Sequence, residues 1–275
     1  MTELITITEP EVKLLTYSGS PVLNIVTGFQ SCYSENTPYD LWLKNVGEFW
    51  DVKEDSSSKT VDYIEERLAT EHTSPLEHAS FTFSISGVSR TFTHQFVRHR
   101  VGVSISQQSQ RYVDPLKDGF FRYVEPAHLT ELQKESLRAS VETSVDCYTQ
   151  MFLDGASKED ARAVLPGCTA TNMMVTINFA ALLHMADIRL CTLAQREFRM
   201  VVSQMRAEIK RRLDKDIVAK FIQPKCGPRR QGFCDESKKD YYACPLSRVR
   251  PHRDGHTFVI GAEKPTEEDL EMVQS

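Results

Sequence analysis

The sequence predicts a mixed α/β fold of the α+β kind. Runs that are apolar or alternate between apolar and polar residues are typical of strands, and they recur at 22–29, 81–87, 120–124 and 168–177. Amphipathic stretches typical of helices lie between and after them, and the longest occupy 129–152 and 178 to about 213. The two kinds of element do not alternate regularly, so a mixed α+β arrangement fits better than a series of βαβ units.

The elements of the first half are a strand at 22–29, a helix at 38–49, a polar loop at 53–59, a helix at 60–68, a connector at 71–78, a strand at 81–87 and a helix at 88–97. The strand at 81–87 rests on the alternation of Phe81, Phe83 and Ile85 with polar residues, and Gly87 closes it. Pro75 disfavours a helical conformation at Ser74, which makes the segment before that strand a connector.

The elements of the second half are a polar loop at 98–112, a strand at 120–124, a helix at 129–152, a short helix at 161–165, a strand at 168–177 and a helical stretch from 178 to about 213. Ser157 and Asp160 form a capping-box pattern that starts the short helix, and Pro166 ends it. The tail from Gln223 is rich in Pro, Gly, Cys and charge, and we expect it to be irregular. We place the domain boundary there, with a catalytic domain at 1–222 and an extension at 223–275.

Composition bounds the function before any motif is considered. The chain has 275 residues, of which 40% are hydrophobic and 26% charged, as in ordinary globular proteins. A net charge of −5 disfavours a dedicated nucleic-acid binder. No signal peptide or membrane-spanning run is visible, and seven cysteines, an odd number, favour a reducing compartment. We therefore expect a cytoplasmic protein with neither membrane nor nucleic acid as partner.

The stretch from Arg98 to Tyr112 is the most unusual part of the sequence. It combines three arginines, a histidine, three serines and three glutamines with few apolar residues. Burying such groups without partners costs kilocalories each, so a core segment is excluded. Because the planar fork of arginine pairs with phosphates and base edges, a loop that binds an anion or a hydrogen-bonding ring is the better interpretation.

The serines of this loop are poor candidates for nucleophiles. Ser104, Ser106 and Ser109 lack a Gly-x-Ser-x-Gly elbow. His99 lies between two arginines, which disfavour its protonated form and make it a weak general base. The serines are therefore interpreted as ligand donors.

Three further places carry candidate ligand groups, each with a structural alternative. Gln95 and Arg98 share a helix face. Their side chains would hydrogen-bond a uracil-like edge or a phosphate, or they lie at an exposed polar end of the helix. Arg189 projects from the face of the long helix that also carries Asn178, or it makes a salt bridge with Asp187 or Glu197. Arg162 sits among small apolar residues, where it would bind an anion or lie at the surface.

The cysteines of the tail suggest a separate possibility. Cys226, Cys234 and Cys244, together with Cys191, could form a four-thiolate zinc site. No Cys-x-x-Cys pair is present, and free thiols are the alternative reading. No metal ligand is assigned from the sequence.

Several motifs in a fixed order resemble one family, the flavin-dependent thymidylate synthases. They are the segment from His72 to His78, Arg98-His99-Arg100 followed by a serine-rich loop that ends Ser109-Gln110-Arg111-Tyr112, the segment Arg162 to Pro166, and Asn178 with the run Arg189 to Glu197. Together they span roughly 60–200. The resemblance implies the fold of that family, with a central sheet and long helices.

The resemblance also implies an activity. Members methylate C5 of dUMP, with FAD as cofactor and with methylenetetrahydrofolate and NADPH as co-substrates. They use no enzymatic nucleophile, in agreement with the weak case for serine chemistry, and rely on positioning of the flavin against the uracil ring. Members are homotetramers in which the subunits share the active sites.

Residue roles follow from the same resemblance. Arg189 would be the catalytic residue, because a fixed positive charge at the pyrimidine favours ionisation of N3. The dUMP site would also contain Gln95, Arg98, Gln107, Gln108, Ser109, Gln110, Arg111 and Arg162. The FAD site would contain Ser74, Arg98, His99, Arg100, Val101, Gln107, Asn178 and His184.

Two departures from the family pattern leave alternatives open. The spacing between Arg100 and Ser109 is one residue longer than usual, and Gly102 makes a wider turn possible there. Ala180 stands where the family often has an arginine. His184 would then have to make the contact of the missing arginine. A relative that acts on UMP, a non-catalytic nucleotide-binding paralogue and an RNA-binding protein are the alternatives.

Overall fold

The computed structural model describes residues 2–50, 56–213 and 218–255, without the side chains of 48–50 and 56–58. Its strands are β1 (Glu3–Ile7), β2 (Glu11–Tyr17), β3 (Ser80–Ser89), β4 (Val103–Gln107), β5 (Phe120–Val124) and β6 (Ala170–Asn178). Its helices are α1 (Pro21–Ser31), α2 (Pro38–Trp50), α3 (Ser56–Ala69), α4 (Arg90–Phe96), α5 (Glu131–Leu153), α6 (Lys158–Ala161), α7 (Phe179–Arg189), α8 (Arg196–Arg212) and α9 (Lys238–Ala243). The predicted mixed α/β class is confirmed.

The strands form two sheets. One has four strands in the order β2-β3-β6-β4, and the other pairs β1 with β5 in parallel, so that Glu3 lies opposite Phe120 and Ile7 opposite Val124. Strand β4 runs antiparallel to β6, because the amide of Asn178 bonds to the carbonyl of Gly102 while the amide of Gln108 bonds to that of Asn172. The middle of the polar stretch 98–112 is thus a strand, where the sequence predicted only a loop.

The chain divides into two compact units. The first is built from the described residues of Met1–Lys13, Phe83–Arg100 and Ser104–Val175, and the second from those of Leu14–Thr82, Val101–Val103 and Thr176–Ser275. Four strands, β2, β3, β4 and β6, contain a boundary between the units along the chain.

The core of the first unit packs α5 against the β1–β5 sheet. Phe121, Tyr123, Val141 and Val145 form one buried cluster, with Leu4, Leu116, Leu137, Leu165 and Cys168 packed around it. A capping box at Thr130 and Gln133 starts α5, since each side chain bonds the backbone amide of the other.

The second unit is mainly helical. Helix α1 packs against α2 and against the 3₁₀ turn Ser74–His78, which also contacts α7. Buried side chains of α8, among them Phe198, Val202 and Met205, contribute to this core. Within the described ranges, none of the helices combines the length and apolar content needed to cross a bilayer.

Five sequence expectations need correction. The apolar run 22–29 is helix α1, not a strand, and residues 1–21 hold two strands that the pattern did not predict. Residues 56–59 of the expected polar loop belong to α3, while 53–55 lie outside the described residues. The helix expected from 178 to about 213 is interrupted between Arg189 and Arg196, and the tail contains helix α9.

Candidate active site

In the first unit, two short segments position the arginines that the sequence singled out. Helix α4 begins at Arg90, where the Ser89 side chain accepts a bond from the Phe92 amide. The amides of Arg90 and Thr91 bond to the carbonyls of Thr169 and Gly167 at 3.1 and 2.9 Å. This contact ties the start of α4 to the turn that follows the 3₁₀ segment of Arg162.

Glu159 joins two of the predicted dUMP ligands. Its carboxylate pairs with Arg111 at 3.0 Å and with Arg162 at 3.9 Å, and its carbonyl accepts a bond from Arg162 Nε at 3.1 Å. Burial and, next, the nearby Arg162 guanidinium lower the pKa of Arg90. Arg111 and Arg162 thus share one carboxylate and Arg90 lies near Arg162, an arrangement of three arginines that suits a phosphate.

Arg90 is not among the residues that the sequence predicted for the site. Its only sequence signal is the serine N-cap before it, which marks a helix start and says nothing about a nearby arginine. The proximity to Arg162 comes from pairing between segments about seventy residues apart. Such a contact is not visible in a local pattern.

The end of β4 carries the amides of the predicted pocket. Gln107 donates to the Thr93 hydroxyl at 3.2 Å, which fixes its side chain against α4. Gln108, Ser109 and Gln110 line a cavity of about 520 Å³. Four carboxylates also line it, namely those of Glu9, Glu11, Asp114 and Asp118, against the two cations of Lys117 and Arg122. This lining disfavours a phosphate inside the cavity, so the arginine cluster is the better phosphate site.

The residues after α4 supply exposed cations. Arg98 and Arg100 are exposed, and among the residues that the structure describes neither guanidinium has an ion pair. The half-buried His99 ring lies 6.5 Å from that of Phe96, and Gln95 is half-buried on α4. Two exposed guanidinium groups fit the pyrophosphate of a dinucleotide such as FAD.

In the second unit, Asn178 and Gly102 form one tight contact. The Asn178 side chain caps α7 by accepting from the Ala181 amide at 2.8 Å, and its backbone amide donates to the Gly102 carbonyl at 2.9 Å. Gly102 has φ +69°, and a Cβ there would lie only 2.4–2.6 Å from the Asn178 amide group. The longer turn predicted at Gly102 therefore depends on glycine. The oxygen of Asn178 is used by the cap, while its amide nitrogen faces the turn.

Arg189 is the last residue of α7 and is half-buried. Its guanidinium lies over the Phe198 ring, 4.5 Å from the centroid. Asp187, one of the two acids considered as its salt-bridge partner, pairs instead with Arg230 through two bonds of 2.7 and 2.6 Å. The remaining predicted flavin ligands of this unit, Ser74, Val101 and His184, are exposed.

Comparison with known proteins identifies the family. Residues 13–213 match the family model described as thymidylate synthase complementing protein. The flavin-dependent thymidylate synthase of Nitratidesulfovibrio vulgaris is 34% identical over 263 residues, which cover 89% of this chain and 99% of that protein. The chain belongs to the flavin-dependent thymidylate synthase family. The resemblance found in the motifs is thereby confirmed.

Other members of the family give the same result. The flavin-dependent thymidylate synthase of Pyrococcus abyssi is 35% identical over 231 residues, which cover 82% of this chain and 89% of that protein. Among solved structures, the UMP/dUMP methylase PolB from Streptomyces cacaoi, bound with 5-Br dUMP, matches with a TM-score of 0.61 at 23% identity. The match covers 79% of this chain and 96% of PolB and supports the fold.

Ala180 stands where the family resemblance implies an arginine. It lies half-buried in the first turn of α7, two residues after the cap Asn178. His184 is exposed one turn further along the same helix, where the i, i+4 spacing puts it on the same side as Ala180. That His184 takes over the contact of the missing arginine stays a prediction.

Proposed function

We propose that this protein converts dUMP to dTMP by reductive methylation at C5, with methylenetetrahydrofolate as carbon donor and NADPH as electron donor. Membership of the family supports the reaction class. The observation that carries the substrate class is the arginine cluster, in which Arg111 and Arg162 pair with Glu159 and Arg90 lies near Arg162. Its excess of positive charge favours a ligand with a phosphate group.

The substrate is held at both ends in this proposal. The arginine cluster binds the 5′-phosphate, and the amides of Gln95, Gln107 and Gln108 and the side chains of Ser109 and Gln110 hydrogen-bond the nucleoside, with Arg98 beside them. Arg189 lies against the pyrimidine, where its charge stabilises the ring ionised at N3. Phe198 holds the Arg189 guanidinium in one orientation, which lowers the cost of positioning it.

FAD is the proposed cofactor. Arg98 and Arg100 would pair with its pyrophosphate, while Ser74, His99, Val101, Gln107, Asn178 and His184 would complete the site. Bound FAD, once reduced by NADPH, supplies the hydride for the reaction. The residues of this chain orient the flavin and exclude water, and none of them acts as a nucleophile.

The assembly and location belong to the same proposal. We infer a homotetramer with shared active sites, since the family resemblance implies one. The cytoplasm is the inferred compartment, because all seven cysteines lie in the described structure as free thiols and a reducing environment maintains that state. The catalytic domain at 1–222 and the extension at 223–275 remain the proposed division of the chain.

Purified protein tests the cofactor and the substrate. We expect a yellow protein with a flavin spectrum that NADPH bleaches faster in the presence of dUMP. A colourless protein that FAD does not reconstitute would overturn the enzyme assignment. Faster bleaching and turnover with UMP than with dUMP would instead change the substrate.

The variant Arg189→Ala tests the residue that polarises the ring. We expect it to retain flavin and to lose dTMP formation by about 10²-fold or more, the usual cost of removing one electrostatic stabiliser. Arg138→Ala is the matched control, because Arg138 is exposed on α5 and pairs with Glu142 in the same helix. Normal turnover of the Arg189 variant, measured as dTMP by chromatography, would show the assignment to be wrong.

A further inference from the structure

The tail that follows residue 222 brings cysteines to the corner between α7 and α8. Cys191, Cys226 and Cys234 line one cavity of about 400 Å³. The hydroxyl of Thr192 donates to the thiol of Cys244 at 3.2 Å, so the fourth cysteine lies beside the neighbour of Cys191. Three of the four thiols therefore line one cavity of the second unit, and the fourth lies near Cys191.

Backbone and side-chain bonds hold these segments in place. The Lys225 amide donates to the Asp187 carbonyl at 3.2 Å, and the bidentate pair of Arg230 with the Asp187 carboxylate fastens the same segment to α7. Cys234 is fixed from the other side, because its amide bonds to the Pro251 carbonyl at 2.7 Å and its carbonyl to the Arg253 amide at 2.8 Å. These bonds fix the positions of the backbone segments that carry the cysteines.

The described part of the tail has little regular structure and few buried side chains. Among the described residues after 222, the regular elements are the six-residue helix α9 and a 3₁₀ turn, Pro245–Arg248. Its buried side chains are few, namely Tyr241, Leu246, Ser247 and His252. Small irregular segments of this kind commonly depend on disulfides or a structural metal, and all seven cysteines here are free thiols.

We propose that Cys191, Cys226, Cys234 and Cys244 bind one structural zinc ion as thiolates, which fastens the C-terminal tail to the end of α7. Four cysteine ligands are a common structural zinc set, and soft thiolates select zinc over magnesium or calcium. Each thiol releases a proton to solvent on binding, and the ion undergoes no redox change. None of the four cysteines is among the residues that hold nucleotide and flavin in the proposed function, although Arg189 lines the same cavity.

Binding requires the thiols to close on the ion. In the described part of the chain, no group of three or more His, Cys, Asp or Glu side chains is already placed to hold a metal ion. Zinc needs four sulfurs about 2.3 Å from one point, so rotations of the cysteine side chains into the cavity must accompany binding. Cys244 also exchanges its bond from Thr192 for the metal.

Metal analysis of the full chain tests the proposal. The protein is produced in zinc-supplemented medium, purified under reducing conditions without chelator, and analysed by mass spectrometry for metals. We expect about one zinc per chain, and a small fraction of that in Cys226→Ser and Cys244→Ser. Cys32→Ser and Cys147→Ser are matched controls, since both cysteines are exposed and lie outside this corner, and they should keep the full zinc content.

Cobalt keeps the proposal testable if the serine variants do not fold. Wild-type protein reconstituted with Co²⁺ should show the intense thiolate-to-cobalt absorption of a tetrahedral thiolate site. Less than about half an equivalent of zinc after reconstitution would overturn the site, and so would full zinc content in both tail variants. A disulfide between any two of the four cysteines in the non-reduced wild type would also overturn it.

The two proposals fail separately. Zinc content and the cobalt spectrum need neither flavin nor turnover, while the flavin spectrum and dTMP formation are measured without reference to metal. A zinc-loaded protein that makes no dTMP would overturn the proposed function alone. An active flavoprotein without zinc would overturn the metal site alone.

Discussion

At the residue scale, the turn at Gly102 depends on the absence of a Cβ atom at this position. Gly102→Ala adds a methyl group at φ +69° and within 2.4–2.6 Å of the Asn178 amide. We expect the free energy of unfolding to fall by about 1–3 kcal/mol. Gly119→Ala is the matched control, because Gly119 has φ +79° with nothing within 4 Å and should lose only about 1 kcal/mol. Urea denaturation measures both, and equal losses would contradict the contact.

The partner of Gly102 gives a second prediction. Asn178→Ala removes the cap of α7 and should cost about 0.5–2 kcal/mol on its own. In that background the new methyl of Gly102→Ala no longer meets an amide, so its additional cost should fall to that of Gly119→Ala. A double-mutant cycle by urea denaturation measures this coupling. Strictly additive losses would show that the amide does not limit the turn.

Residue types in the candidate site were predictable, whereas their partners were not. The arginines, amides and serines of 98–112 indicated anion and ring binding from composition alone. That Glu159 joins Arg111 and Arg162, and that Arg90 lies near Arg162, depends on contacts between distant segments. Local patterns carry no information on such pairs, which is why Arg90 was missed.

At the element scale, the errors have local causes. The apolar residues of the run 22–29 are buried in helix α1. The strand prediction failed because a short apolar run is typical of a buried helix as well as of a buried strand. Pro21 at the first helical position was the available signal. In β4 the alternation of half-buried Ile105 with exposed Ser104 and Ser106 was a strand pattern that the polar composition concealed.

The break between α7 and α8 had no such signal. Neither glycine nor proline occurs between Arg189 and Arg196, and the apolar spacing continues across the gap. Side chains stabilise the break instead, because Arg199 donates to the Thr192 carbonyl at 2.9 Å and so replaces a helical bond. Helix propensity does not predict a hydrogen bond from a side chain to a backbone carbonyl seven residues earlier.

The pair of Asp187 and Arg230 gives a prediction at the same scale, because it joins α7 to the tail. Its side chains are only 17% and 19% exposed in their ion pair. Arg230→Ala leaves the Asp187 carboxylate half-buried without its partner and should lower the free energy of unfolding by about 2–3 kcal/mol. Arg138→Ala, which breaks the exposed pair with Glu142, should cost at most about 0.5 kcal/mol. Chemical denaturation compares the two, and a loss for Arg230→Ala as small as the control would contradict the role of this pair.

At the scale of the whole molecule, the candidate ligands are divided between two compact units. The arginine cluster and the side chains of residues 107–110 belong to the first unit. Asn178, His184 and Arg189 belong to the second. The fold class and most elements could be predicted from the spacing of apolar residues, because burial of one face gives helices and strands different periods of hydrophobicity. The division into interleaved units did not, because it depends on which strands pair.

The proposed homotetramer with shared active sites gives a prediction at this scale. If Arg189 of one subunit serves the same site as Arg162 of another, Arg189→Ala and Arg162→Ala chains are each inactive alone but complement each other in mixed oligomers. Random mixing in equal amounts should then restore about a quarter of the sites, because both intact residues meet by chance in that fraction. Arg189→Ala mixed with wild type is the control and should give about half of the wild-type rate. Light scattering should report about four times 31.4 kDa for every mixture. Mixed tetramers that form and yet recover no dTMP formation would show that each site takes both arginines from a single chain.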